Sequence, residues 1–287
     1  MFSPYRPASV LKITGEDAFS FLQGQFTQDL RPCVAEGDVA YGLWLNHKGK
    51  VQADGFLMLR GAEWWCVSVF SEAEGLRKHL ECFIIADDVA IEDVTSQWAG
   101  VCVLGSDERQ VQAWAATSGG FIFQGRRANA ASFEWLYRVD GDSAAEVLRV
   151  QGAGEIGSGD LERLRIEAGI PAVPCDIGPE DLPNEGGLEV DAISYTKGCY
   201  LGQEVMARLK SMGQVRRKLV RVMGTGVLPA GLPAAVFTDG KKCGELRSAA
   251  PAGEGFVGLA MISLPGMTGR RLLSFSPEGA ANIVVST

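Results

Sequence analysis

At 287 residues, with 46% hydrophobic and 22% charged residues, the chain is long enough for two or three packed units around sizeable cores. A net charge of −8 and a pI near 5.0 exclude a general nucleic-acid binder, which needs basic surface to neutralise phosphates. No run of about 18 apolar residues offers a membrane span, and residues 1–14 lack the apolar core of a signal peptide, so the expected location is the cytoplasm.

Residues 10–13 read as a short strand. Thr14 and Asp17 then resemble a relaxed capping pair ahead of Ala18, Phe19 and Leu22, with Gly24 placed to stop the helix. Residues 41–45 and 55–59 read as strands joined through Asn46-His47-Lys48-Gly49, where Gly49 can take positive φ. A third strand over 63–70 carries Trp64, Trp65, Val67 and Val69. Ser71-Glu72-Ala73-Glu74 has the spacing of a capping box and opens a helix whose Leu76, Leu80 and Phe83 share one face. Residues 97–150 form a second unit, with strands at 101–104, 121–123 and 133–139 and helices at 109–117 and 143–150. Its short runs in mixed order predict antiparallel α+β pairing rather than a doubly wound sheet.

Four glycines fall within 151–159, after which Asp160 can cap a helix over 161–168, ended by Gly169 with Pro171 beyond. Residues 170–190 read as a long loop, often a binding element in a compact protein. From about residue 211 to the end, short β runs between glycine and proline predict a small barrel or sandwich. The seven cysteines (Cys33, Cys66, Cys82, Cys102, Cys175, Cys199 and Cys243) are scattered, with no C-x-x-C, which predicts reduced thiols and no self-contained metal site. His47 and His79 have no apparent Ser or Asp partner, so a hydrolase triad has no support.

The most informative stretch is Lys197-Gly198-Cys199-Tyr200-Leu201-Gly202-Gln203-Glu204, followed by helical spacing of Val205, Leu209 and Met212. Free amides at that helix start and the nearby Lys197 would favour a thiolate at Cys199. Glycines on either side would let a ligand or another chain approach the backbone closely. The same residues also fit a buried structural cysteine in a glycine-bounded turn.

This stretch resembles the K-G-C-Y-x-G-Q-E signature of the YgfZ-like proteins, with all seven specified positions present. Phe21-Leu22-Gln23-Gly24-Gln25 with Thr27-Gln28-Asp29 resembles the F-L-Q-G-Q-x-T-x-D element of that family. Arg165-Ile166-Glu167-Ala168-Gly169 resembles its R-I-E-A-G element. The family is similar in fold to the glycine cleavage T protein, a tetrahydrofolate-dependent aminomethyltransferase. The resemblance therefore implies an α+β, aminomethyltransferase-like folate-binding fold with antiparallel sheets and a C-terminal small β-barrel. Residues 1–95 would form the N-terminal part of the folate-binding module, 96–150 an α+β unit, 151–212 the rest of the module and 213–287 the barrel.

It further implies tetrahydrofolate or a derivative as ligand, with Glu167 pairing with the pterin edge, as a carboxylate can across two parallel hydrogen bonds. Tyr41, Asp54, Lys197, Gln203 and Glu204 would complete the folate-binding set. Tyr41 and Asn46 resemble the relative's Y-x-x-x-L-N-x-x-G pattern with one inserted residue, but Ala53-Asp54 stands where the relative has paired aspartates. The lost carboxylate argues against ordinary aminomethyl transfer, which needs one for proton management. The implied function is support of iron–sulfur enzymes, including the radical enzyme that thiomethylates tRNA, with Cys199 as the reactive or partner-facing group. A one-carbon transferase and a non-catalytic docking module are the alternatives, and whether the chain turns over any substrate stays open. Expected partners are iron–sulfur enzymes or assembly proteins. Arg208, Lys210, Arg216, Arg217 and Lys218 concentrate positive charge, either to receive a folate glutamate tail or an acidic partner, or as an ordinary solvated face.

Overall fold

A computed structural model describes residues 1–35, 37–115, 120–266 and 272–286, with the side chain of Met212 also left undescribed. The elements are β1 (Phe2–Tyr5), β2 (Ser9–Thr14), α1 (Ala18–Gln25), β3 (Val39–Leu45), β4 (Val51–Arg60), β5 (Glu63–Ser68), α2 (Ala73–Glu81) and β6 (Ala90–Asp93). Then come β7 (Trp98–Leu104), α3 (Glu108–Ala115), β8 (Phe121–Gln124), β9 (Ser132–Arg138), α4 (Ala144–Val150), α5 (Ser158–Glu167) and α6 (Gln203–Met212). The last are β10 (Arg217–Thr225), β11 (Ala234–Thr238), β12 (Lys241–Ala252), β13 (Gly255–Ser263), β14 (Leu272–Leu273) and β15 (Ile283–Val285). The end of the helix predicted to reach residue 117 lies outside the described residues, as does the Met212 side chain of the predicted α6 stripe.

Three antiparallel sheets result. The first runs β3-β4-β5-β2-β6, the second β1-β7-β9-β8, and the third β11-β12-β13-β10-β15-β14. In the third, Phe237 and Ser274 exchange backbone hydrogen bonds of 2.9 Å, which brings the two edges together into a nearly closed barrel around Val222, Leu246, Phe256 and Ile283. The fold is the α+β arrangement with a C-terminal barrel that the sequence leads one to expect.

Alternation along β4 explains how the first two sheets meet. Leu57 faces α1 and α2 with Leu22, Trp44, Leu76 and Leu80, whereas Phe56 and Met58 face Phe121, Phe123 and Leu136 of the second sheet. Trp65 seals this junction against Trp98 and Phe121, at ring centroid distances of 5.6 and 5.0 Å. A further core joins the ends of β3 and β4 to Ile166, Val173, Leu188 and Met206, and to Leu219 and Leu259 of the barrel.

Several local expectations change. Phe2–Tyr5, unread as a strand, pairs with β7 (Phe2 opposite Val103), so the first residues are stitched to the second sheet. Gly24 lies inside α1, whose cap is Phe26, because the helix is held at its end by tertiary contacts rather than by a glycine stop. The α2 cap is Glu72 with no side-chain cap bond: Glu74 pairs with Lys78 at 2.6 Å, and Ser71 turns inward instead. Helix α5 starts earlier than Asp160 permits as a cap, with Gly157 at that position. Among the described residues, no helix is long and apolar enough to cross a membrane.

Candidate functional site

The candidate site residues fall on two features: a cleft around Asp54, and the loop of Cys199. Asp54 sits on β4 and is buried, 8% exposed. Its Oδ2 accepts a hydrogen bond from the Tyr41 hydroxyl (2.9 Å), and its Oδ1 accepts from Ser68 (3.0 Å) and Ser71 (2.9 Å). Burial raises the Asp54 pKa above the usual carboxylate range; hydrogen bonds from Ser71, Tyr41 and Ser68 and the charge of Arg126 offset this only in part. Tyr41 is likewise shifted far upward, first by burial and then by the Asp54 charge, so it stays a donor.

The Arg126 guanidinium lies 4.0 Å from the centre of the Tyr41 ring and donates to the Asp191 carboxylate. On its inner side is a chamber of about 20 Å³, lined by Asp54, Phe70, Arg127, Ile170 and Pro171, room for about one water. On its outer side a cleft of about 280 Å³ is lined by Val39, Phe56, Gln124 and Asp191, close to the lower limit for ligand sites. Tyr41, Phe56 and Arg126 border both spaces, and Asp191, which holds Arg126, lines the outer one. Arg127 is 7% exposed, and its Nε and Nη1 have no hydrogen-bond partner.

Linkage gives Asp54 a testable signature. An unfolded aspartate ionises near pH 3.9. The folded protein holds this proton to higher pH, so folding loses stability as pH rises from about 4 to the folded pKa. Asp54→Asn removes that cost. Thermal melts across pH should show the variant gaining on the wild type as pH rises from about 4 to 7; a difference independent of pH would contradict the raised pKa.

The cysteine loop is built against the end of α1. Lys197 is 5% exposed and its ammonium donates to the carbonyls of Gln23 (2.8 Å), Phe26 (2.6 Å) and Gln28 (2.9 Å). Burial brings its pKa down to about 8. The Leu201 amide donates to Gly24, the Ser194 amide to Thr27, and the Thr27 hydroxyl to Ala192 (2.6 Å). Gln23 in turn binds Asp29 and the Leu30 amide, which fixes the turn that receives Lys197. The two separated sequence motifs are therefore one structural unit.

Gly202 precedes α6 with φ +84°, and a Cβ there would come within 2.9 Å of the Asn46 carbonyl, so the turn demands glycine. Gly198 is different: it needs no positive φ and a Cβ would meet nothing within 4 Å. Tyr200 is buried, whereas Cys199 is exposed, and this excludes the buried structural cysteine. The Lys197 ammonium expected to favour a thiolate serves three carbonyls instead.

The other predicted residues separate. Tyr41 and Asp54 are in direct contact. Gln203 and Glu204 open α6 beside the cysteine loop, and Glu204 is exposed and pairs with Arg208 at 3.4 Å. Glu167 ends α5, half-exposed, and pairs with Arg163 at 2.9 Å; it lines neither cavity. Ser68, Arg126, Arg127 and Asp191 carry no sequence signal, and Ser71 reads only as a helix cap. Within the R-I-E-A-G element the buried charged residue is Arg165, fully enclosed and paired with Asp176 at 2.7 Å.

Residues 7–119 match the GCVT N-terminal domain. The mouse mitochondrial iron–sulfur cluster assembly factor IBA57 is 31% identical over 278 residues, covering 88% of this chain and 75% of that protein. The chain belongs to the YgfZ/IBA57 family. The tRNA-modifying protein YgfZ of Vibrio vulnificus is 28% identical over 228 residues, covering 75% of this chain and 68% of the relative. In fold this family member matches the crystal structure of the glycine cleavage system aminomethyltransferase T from Bartonella henselae, with a TM-score of 0.76 at 17% identity, over 99% of this chain and 84% of that one.

Proposed function

We propose that this family member supports the assembly or maintenance of iron–sulfur proteins, presenting Cys199 to a client beside a tetrahydrofolate-binding cleft. The observation that carries the reading is the exposure of Cys199 within an otherwise anchored loop. Lys197, Tyr200, Leu201 and Gly202 are fixed by the fold, while Cys199 faces outward next to a glycine that packing does not require. Lys197, Gln203 and Glu204 then serve to hold and frame this loop rather than to touch folate. The names of the mouse and Vibrio relatives support the direction: one is an iron–sulfur cluster assembly factor, the other a tRNA-modifying protein. Among the described residues no three His, Cys, Asp or Glu side chains converge as a metal-ligand set, so a cluster ligated by Cys199 would take its other ligands from elsewhere.

The residues around Asp54 suit a reduced pterin. Tyr41 and Phe56 offer aromatic faces, Asp54 an acceptor for ring N–H groups, and Arg127 two buried donors without partners. The inner chamber is far smaller than a bicyclic ring, so entry requires Arg126 to leave Tyr41 and Asp191. Both Asp54 oxygens already accept hydrogen bonds, which suits orienting a ligand better than shuttling its proton. With Ala53 in place of a second carboxylate, binding without aminomethyl transfer is the reading preferred.

Calorimetric titration with tetrahydrofolate tests the cofactor. Saturable binding is expected, weakened at least about ten-fold by Asp54→Asn, which removes a charge-assisted hydrogen bond; Glu167→Gln tests whether the α5 carboxylate, which lines neither cavity, reaches the ligand. A loss confined to Asp54→Asn would remove Glu167 from the site. Folded wild-type protein that binds no tetrahydrofolate would overturn the cofactor assignment and favour a docking module.

A further inference from the structure

A second concave site begins one residue from the Asp54 site, its Val190 adjoining Asp191. The turn Leu188–Val190, the end of α6 and the start of β10 enclose about 560 Å³, well within the range of ligand sites, and share no lining residue with the site above. Val190, Leu209 and Val215 give it an apolar surface, and Val190 is 82% exposed. Tyr195 lies in its wall with the Lys210 ammonium 4.2 Å from the ring centre.

The positively charged segment divides at this cleft. Arg217 is bound by Asp181 and Glu185, both at 3.0 Å, and Arg208 pairs with Glu204. The two ammoniums that line the cleft, Lys210 and Lys218, make no salt bridge within 4.0 Å among the described residues; Lys210 lies over Tyr195, and the Lys218 charge acts on Glu189 in the same wall. In a chain of net charge −8, two exposed lysines facing one carboxylate leave this partly apolar concavity a local positive excess that complements an acidic partner. The cleft also holds buried acceptors: Asn184 Oδ1 and Glu189 Oε2 have no hydrogen-bond partner. Acceptors need N–H donors, which a phosphate or a simple dianion lacks and a peptide backbone supplies at every residue.

We propose that this cleft binds an extended segment of a partner protein that combines acidic and bulky apolar side chains. Its carboxylates meet Lys210 and Lys218, its backbone N–H groups meet Asn184 and Glu189, and its apolar side chain lies on Val190, Leu209 and Val215. The proposal depends neither on folate binding nor on Cys199.

Panning a random displayed peptide library on the wild type and on the Lys210→Glu/Lys218→Glu double variant provides the test. The wild type should enrich sequences with clustered Asp or Glu beside a large apolar residue. Synthetic copies should lose at least about ten-fold in affinity on the double variant and weaken with added salt. Both lysines are exposed, so the melting temperature should hold; Lys210→Gln/Lys218→Gln repeats the test with a milder change. Val190→Asp should weaken the same peptides, while Arg216→Glu, exposed and outside the cleft, should leave them within about two-fold. No enrichment, or enrichment that survives charge reversal, overturns the proposal. Tighter binding of a single-stranded RNA oligonucleotide than of any peptide, lost in the same variant, assigns the cleft to nucleic acid and overturns it equally.

Discussion

Cys199→Ser is expected to abolish support of iron–sulfur enzymes, a loss of at least about ten-fold in client activity, while leaving the protein folded. The thiol is exposed, so exchanging sulfur for oxygen removes no core contact, and such surface changes stay within about 0.5 kcal/mol. The chemistry changes far more than the shape, because a hydroxyl neither ligates iron as a thiolate does nor exchanges with another thiol. The measurement is client-enzyme activity in cells lacking their own family member, rescued by wild-type or variant protein at matched abundance. Tetrahydrofolate titration of the same variant should be unchanged, since Cys199 lines neither cavity of the Asp54 site. Cys66→Ser provides the contrast: this buried thiol lies in the core with Leu57 and Trp44, and an unsatisfied hydroxyl there should cost about 1–3 kcal/mol. Full rescue by Cys199→Ser would sink the role given to this residue and leave the exposed loop as a docking feature only.

How much of this was legible depends on the range of the interaction. Strands β3 to β5 and the Asn46–Gly49 turn are local, written in alternation and in one glycine, and the sequence reading placed them within a few residues. Ser71 shows the opposite case. Its spacing to Glu74 mimics a capping box, yet its hydroxyl serves Asp54, 17 residues away, because a buried carboxylate draws donors from wherever the sheet brings them. The Arg126–Asp191 pair joins residues 65 apart, and neither belongs to a motif. Lys197 was visible as part of the signature but its task was not, since its partners are backbone carbonyls and those have no sequence code. The same holds for the charged segment, read as one patch from 208 to 218. Only the fold separates Arg208 and Arg217, each held by a carboxylate, from the two lysines at the cleft.

Arg165→Ala should be the most destabilising single change in the candidate region, costing about 3–5 kcal/mol. Arg165 is wholly buried, and it binds four partners from three parts of the chain. Within α5 it holds Glu162 at 2.5 Å. In the following loop it reaches the Ile170 carbonyl and Asp176, the latter at 2.7 Å, and in the barrel it donates to Ser248 at 3.1 Å. Asp176 is also fully buried, and its other oxygen has no partner, so loss of Arg165 leaves an uncompensated carboxylate in the interior. A typical domain has only about 5–15 kcal/mol in hand, so much of it would be lost. Urea unfolding should show the midpoint falling sharply for Arg165→Ala and for Arg165→Lys, which cannot reproduce the forked contacts. Pairing Arg165→Met with Asp176→Asn should recover part of the loss, because the second change removes the stranded charge. A midpoint shift worth less than about 1 kcal/mol would mean the network is not a structural joint. The consequence for function follows from position: Ile170 and Pro171 line the Asp54 chamber, and Arg165 holds the loop that carries them against the barrel. The arginine of the R-I-E-A-G element thus holds the wall of the cleft without lining it, so under the proposed folate site its loss should weaken binding and stability together.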